Sequence, residues 1–137
     1  MKICAEVRSG DGHEVLLQTD DLSKTLVIPP KADGRGSSVN GGELLVLALA
    51  TCYMNDVYRE AARRGITVRH VHVAARGEFP VEGAPGVNFT YHAMVEADAA
   101  EEAIRALMES VDQVAEIQNT LRSGSAVRML GCKAVRR

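Results

Sequence analysis

The sequence predicts an α+β fold, and three observations predict it. Short stretches near the start and the middle alternate apolar and polar residues, the two-residue period of half-buried strands. A wholly apolar run, Leu44–Ala50, continues into an amphipathic segment at helical spacing. A second segment, from Ile104 to Leu121, carries apolar residues three and four apart. The 137 residues are one domain's worth, residues 1–137, at the usual ~100–200 residues per domain.

Taken in order, Ile3, Ala5 and Val7 alternate with polar neighbours and begin a strand. Ser9-Gly10-Asp11-Gly12 is a strong turn signal. Strands over His13–Thr19 and Thr25–Ile28 complete an N-terminal antiparallel meander. Pro29-Pro30 stops it, because proline cannot donate to a ladder. Residues 31–42 form a loop rich in Gly and Ser. Asn40 is the expected cap of the next helix, and Glu43 suits the positive end of its dipole.

That helix is the centre of the protein. Leu44-Leu45-Val46-Leu47-Ala48-Leu49-Ala50 leaves no polar face, so it must be covered on all sides. Further on, Asn55, Asp56, Arg59, Glu60, Arg63 and Arg64 give it a polar side. Gly65 is its C-cap candidate. A helix of ~20 residues is about 30 Å long, and a small chain hardly covers such a rod alone. A partner subunit would supply the missing surface.

Residues 66–78 and 87–97 form a β-hairpin around the wide loop Pro80–Gly86. In its second strand Val87, Phe89, Tyr91, Ala93, Val95 and Ala97 share one face. Asp98-Ala99-Ala100-Glu101 reads as a capping box with Asp98 as the cap. One amphipathic helix follows through Leu121 and ends at Gly124. Ala126–Val135 reads as a final strand.

Composition excludes several functions. Sixteen basic and eighteen acidic side chains give a net charge of −2, without the basic excess of a general nucleic-acid binder. Two Phe, three Tyr and no Trp leave little material for base stacking. No apolar run reaches the ~18 residues of a membrane span, and residues 1–6 lack a signal peptide's apolar region. The expected compartment is the cytoplasm. There Cys4, Cys52 and Cys132, with no CxxC and no zinc spacing, should be thiols.

Cys52 stands out, in the middle of the most apolar helix. It is either a small packing residue or a reactive thiol. Nothing local favours a thiolate: the helix start is too distant, and Asp56 lies one turn on along the same face. Activation would need an arginine from elsewhere, and Arg8 and Arg35 are the candidates. His70, His72 and His92 could together approach a metal, but no Cys or carboxylate sits at ligand spacing. They read as partly exposed strand histidines, and no metal or cofactor is expected. Met54, Met94, Met108 and Met129 fill core gaps or line an apolar pocket.

The stretch Asn40-Gly41-Gly42-Glu43-Leu44-Leu45-Val46-Leu47-Ala48-Leu49-Ala50-Thr51-Cys52 resembles the signature of the OsmC/Ohr superfamily. That signature has a helix start of Asn-Pro-Glu type, a Leu/Ala run, and a Cys about three turns in. Gly65-Ile66-Thr67-Val68 after the helix also matches, as does the order of elements over nearly the whole chain. The resemblance implies an OsmC-like fold in an intertwined homodimer, with sites at the subunit interface. Its peroxidase members reduce organic hydroperoxides: one Cys attacks, a second resolves, an Arg activates the thiol and a Glu orients that Arg. Cys52 matches the attacking Cys. The second Cys would fall near Ala115-Glu116, and the chain has no Cys between 53 and 131. Gly42 occupies the place of the family's Glu, ten residues before Cys52, with Glu43 one position on. The implied function is one-Cys, thiol-dependent handling of an organic hydroperoxide or related electrophile, centred on Cys52 with Arg8, Arg35 and Glu43, and an external thiol as reductant. The rival reading is a non-enzymatic protein that holds a small hydrophobic ligand in the interface cleft, with Cys52 as packing.

Overall fold

The computed structural model describes residues 1–10 and 12–137; Asp11, in the first expected turn, lies outside the described residues. The element order is strands β1 (Ile3–Ser9), β2 (His13–Thr19) and β3 (Leu22–Thr25), helix α1 (Gly41–Arg63), strands β4 (Thr67–Glu78) and β5 (Val87–Asp98), and helices α2 (Glu101–Val114) and α3 (Glu116–Ser123). The chain divides into two compact units, Met1–Leu45 and Val46–Arg137.

The first unit is built on an antiparallel sheet in the order β1-β2-β3. Its β2–β3 turn is tight: Thr19 pairs with Leu22, and Asp20 takes a positive φ of 50°, a conformation that Asp tolerates better than most residues. The short connection starts β3 at Leu22, so the strand expected over Thr25–Ile28 ends where it was to begin. The alternation of β1 is present, but Ile3 and Val7 are both exposed. The loop after Pro30 folds back through a Pro30–Ser37 bridge. Asn40 then opens α1 through a reciprocal capping box. Its Oδ1 accepts the Glu43 N–H at 2.8 Å, and Glu43 Oε1 accepts the Asn40 N–H at 3.0 Å. Two orphan donors are satisfied at once.

In the second unit α1 ends in a Schellman arrangement. Gly65 N–H bonds the Ala62 carbonyl and Ile66 N–H the Ala61 carbonyl, with Gly65 left-handed at φ 67°. The reversal leads into β4, which pairs antiparallel with β5 from Thr67–Asp98 to Glu78–Val87. The inner face of the hairpin takes the apolar side of β5 read from the sequence, together with a β4 face that the sequence left mixed. Val68, Val71, Val73, Tyr91, Ala93 and Val95 pack on a core of Tyr53, Val57, Ala61, Leu107 and Val111. α1 buries one side there, through Leu49, Tyr53, Asp56, Val57 and Ala61. Its opposite side keeps Leu47 57% and Tyr58 47% exposed, with Met54 between them.

The hairpin is irregular near its loop. The ladder shifts register between Arg76 and Glu78, and Asn88 opposite takes φ 56°, the signature of a bulge. Gly77 is required there: a Cβ would stand 2.6 Å from the Phe89 ring. Phe89 in turn meets Phe79 edge-on, ring centres 5.9 Å apart.

Three expectations change in the C-terminal part. Asp98 is not a helix cap. It still belongs to β5 and pairs with Arg69, so Ala100 becomes the N-cap with no side-chain bond. The single amphipathic helix is two, broken at buried Ala115, whose ψ of 109° is extended. The break is sustained by α3, which returns donors to carbonyls near the end of α2. Asn119 Nδ2 donates to the Gln113 carbonyl at 2.9 Å and Arg122 Nη1 to the Asp112 carbonyl at 3.1 Å. Finally, the strand expected over Ala126–Val135 is not formed. Residues 125–137 have no regular structure, and Val127 and Leu130 are 97% and 91% exposed. A strand needs a partner edge for its backbone groups, and this segment has none among the described residues.

Candidate functional site

The apolar face that seats α1 on the sheet also fixes Cys52. Tyr53 and Val57 turn inward, so Cys52 and Asp56, one residue earlier in each turn, sit at the margin of the buried side. Cys52 is half-buried and Asp56 is 4% exposed. The Cys52 thiol donates towards Asp56 Oδ2 at 4.0 Å. Asp56 Oδ1 in turn meets Arg59 Nη1 at 3.0 Å, and Arg59 Nε reaches Glu60 at 3.3 Å. Burial pushes the Asp56 carboxyl above the usual range; Arg59 pulls it back, and the charges of Glu116 and Glu60 raise it further. Thiol, carboxylate and guanidinium therefore stand at positions i, i+4 and i+7 of one helix.

Opposite this row is α3. Gln118 is 3% exposed, and its Nε2 donates to the Leu49 carbonyl at 3.0 Å, one turn before Cys52. Glu116, in the first turn of α3, is near enough for its charge to act on Asp56. The region where the family's second Cys was expected thus carries buried Ala115 and acidic Glu116.

A second polar cluster ties β5 to α2 and α3. The Tyr91 hydroxyl donates to Asp112 Oδ1, and Arg122 Nη2 donates to the same oxygen at 2.8 Å. The bond from Tyr91 holds the Asp112 carboxyl below its usual range, against the effect of burial and with help from Arg122. Tyr53, its ring 5.0 Å from that of Tyr91, donates to the Met108 carbonyl at 2.9 Å. Burial and the Asp112 charge push its phenol up to about 12. Met94 and Met108 line a cavity of about 750 Å³ between β5 and α2, with Tyr53, Tyr91 and Ile104. Met94 is itself exposed, and Met54 and Met129 are exposed and take no part in that lining.

The other sequence candidates are placed as follows. Glu43 is engaged in the helix cap. Arg8, on β1, pairs with Glu6 at 3.3 Å, and the Arg35 backbone N–H bonds Asp33 at 3.0 Å. Arg8, Arg35 and Glu43 belong to the first unit and Cys52 to the second. His70, His72 and His92 all lie on the exposed face of the hairpin, where His70 pairs with Glu96 and His72 with Met94. Among the described residues no group of three or more His, Cys, Asp or Glu side chains could hold a metal ion. Cys4 and Cys132 are exposed free thiols. No described helix is long and apolar enough to cross a membrane.

Sequence reasoning missed Arg59, Glu116 and Gln118. Arg59 was legible: it follows Asp56 by three, a spacing at which helical side chains meet. Glu116 and Gln118 gave no local signal, because their contacts depend on how α3 folds back.

The family model for OsmC-like proteins matches residues 34–129, and the chain belongs to that family. Solved structures with the same fold include an OsmC-like protein from Mycoplasma pneumoniae. It is 19% identical, with a TM-score of 0.64 over 89% of this chain and 88% of that one. An OsmC-like protein of unknown function from Vibrio cholerae is 14% identical, with a TM-score of 0.59 over 88% and 93% of the two chains. An organic hydroperoxide resistance protein from Elizabethkingia anophelis is 20% identical, with a TM-score of 0.58 over 89% of each. At these identities the likeness is one of fold. No curated protein sequence matches the chain.

Proposed function

We propose that this OsmC-like protein reduces organic hydroperoxides, or related electrophiles, through a single thiol, that of Cys52. The observation that carries the reading is the Cys52–Asp56 contact of 4.0 Å on the family's central helix. Asp56 acts there as a base that takes the thiol proton as the sulfur attacks, not as a charge that favours a standing thiolate. The sulfur attacks the terminal oxygen of the hydroperoxide, an S–O bond forms as the O–O bond breaks, and the proton leaves with the alcohol. Sulfur is oxidised by two electrons to a sulfenic acid, and the peroxide is reduced by two. An external thiol then displaces water to give a mixed disulfide, and a second thiol releases Cys52. Membership of a family that includes a hydroperoxide resistance protein supports the substrate class.

One equivalent of cumene hydroperoxide is expected to add oxygen to Cys52 in intact-mass and peptide mapping, with no loss of two hydrogens. The Cys52→Ser protein should gain nothing. A Cys52 bridged to Cys4 or Cys132 would instead make the chain a two-Cys enzyme. An unmodified Cys52 would leave it a ligand-binding protein.

We also propose that the working form is a homodimer. Leu47, Met54 and Tyr58 form an exposed apolar stripe along α1, which is costly to leave in water. Light scattering at micromolar concentration should return twice the 14.7 kDa chain mass. A monomer would overturn the proposal.

A further inference from the structure

Asp56 is 4% exposed. A carboxylate so buried takes up a proton, and stops being a base, unless a compensating charge stands beside it. The groups that face it come from two helices. Cys52, Arg59 and Glu60 belong to α1 and Glu116 to α3. Burial and the two glutamate charges work against an ionised Asp56, and the guanidinium of Arg59 works for it.

The geometry gives the two carboxylate oxygens separate tasks. Arg59 Nη1 meets Oδ1 at 3.0 Å, while the Cys52 thiol donates towards Oδ2 at 4.0 Å. The approach of Arg59 is fixed from its other side. Its Nε donates to Glu60 Oε1 at 3.3 Å, and the same oxygen accepts from Arg63 Nη1 at 2.8 Å. Arg63, Glu60, Arg59, Asp56 and Cys52 thus form one chain of contacts along α1. The guanidinium is held on Oδ1, and Oδ2 is left to the sulfur.

We propose that Arg59 is a positioning residue for the reaction at Cys52: by holding Asp56 Oδ1 it keeps the carboxylate charged and Oδ2 turned to the thiol. The inference rests on the reading of Asp56 as the base and extends it to the group that lets Asp56 act. The thiol proton passes to Oδ2 as the sulfur attacks, and from Oδ2 to the alkoxide released when the O–O bond breaks. Arg59 stays protonated throughout. Glu116 acts in the opposite sense, because its negative charge disfavours an ionised Asp56.

The test follows two quantities against pH in the whole protein. One is the ionisation of Asp56, from carbon NMR of carboxyl-labelled aspartate, assigned by the signal lost in Asp56→Asn. The other is the rate at which cumene hydroperoxide adds oxygen to Cys52, from peptide mapping. Arg59→Met is expected to move the Asp56 titration and the acid limb of the rate together to higher pH, by about one pH unit. That is the low end of what an adjacent opposite charge does, because Arg59 is 41% exposed and partly screened. Arg59→Gln, which removes the charge but keeps an N–H donor, takes its place if the Met variant does not fold. Arg59→Lys should return both midpoints most of the way, and Glu116→Gln should move both to lower pH. A titration unmoved in the neutral variants would overturn the proposal whatever Cys52 does, and so would a Lys variant that shifts as far as Met, since the effect would then be one of packing. An Asp56 titration that moves while the rate at Cys52 does not follow, or a Cys52 that takes up no oxygen, would instead overturn the reading of Asp56 as the base, and the role of Arg59 falls with it.

Discussion

Truncation of Leu107 to alanine is expected to cost the second unit about 2–5 kcal/mol, the range for fully buried Leu→Ala changes. Leu107 is completely buried, in the cluster that holds α2 on α1 and on the inner face of the hairpin. Its neighbours Val57 and Val111 are also completely buried, so the space it vacates cannot collapse from the solvent side. Small domains have about 5–15 kcal/mol in total, and each kcal/mol moves the melting midpoint by roughly 4–8 °C. The midpoint should therefore drop by at least about 8 °C. Val114→Ala, at a 43% exposed position of the same helix, should stay within about 0.5 kcal/mol of the unmodified protein. If the two variants lose the same stability in urea, the packing of α2 is not what holds this unit together.

The second large effect is expected at Asp112. Its Oδ1 is the acceptor for both the Tyr91 hydroxyl and the Arg122 guanidinium. Arg122 is half exposed, so the ion pair itself contributes under about 1 kcal/mol. The larger loss comes from Tyr91, whose half-buried hydroxyl would lose a charged acceptor. Hydrogen bonds of that kind contribute about 1.5–3 kcal/mol. Asp112→Ala should thus cost about 2–3 kcal/mol at neutral pH. The carboxyl is held below its usual range in the folded state. Its contribution is therefore complete above the unfolded value of about 3.9 and disappears as pH falls through the folded value. The stability gap between the unmodified protein and Asp112→Ala should narrow below about pH 4. Asp56 runs the other way: its raised folded value means that acid favours the folded form and that stability is lost as pH rises through it. Subtracting the variant from the unmodified protein isolates Asp112. A gap that stays constant from pH 6 to pH 2.5 would contradict the assignment.

The strands that pair locally were legible because their information is local. β1 and β5 follow from alternation, β2 and β4 from short runs bounded by turn residues, and the cap at Asn40 from its residue type just before the helix. Where the reading failed, a longer-range choice intervened. Asp98 could cap a helix or pair with Arg69 across the hairpin, and only the strand register decides between them. The apolar stripe from Ile104 to Leu121 runs on through Ala115, so the sequence period hides a break that distant donors from Asn119 and Arg122 sustain. The segment Ala126–Val135 has strand character, but a strand is a property of two segments and only one is in place here. The site divides in the same way. Cys52 and Asp56 share a helical spacing visible in the sequence. Glu116 and Gln118 reach α1 from more than fifty residues away, and nothing in their own neighbourhood announces it.

The packed corner of Gly77, Phe79, Gly86 and Phe89 has a consequence for how such a sequence can change over time. A Cβ on Gly77 or Gly86 would fall within 2.6–2.7 Å of an aromatic ring, so neither glycine can gain a side chain while both rings keep their present places. Nor is losing a ring neutral, because the glycines provide no bulk to fill the space. Drift at this corner must therefore be coupled: a first substitution is harmful alone and tolerated once its counterpart has occurred. Lineages that cross that barrier would be found with the small and large residues exchanged across the strands, and intermediates with both large or both small would be rare.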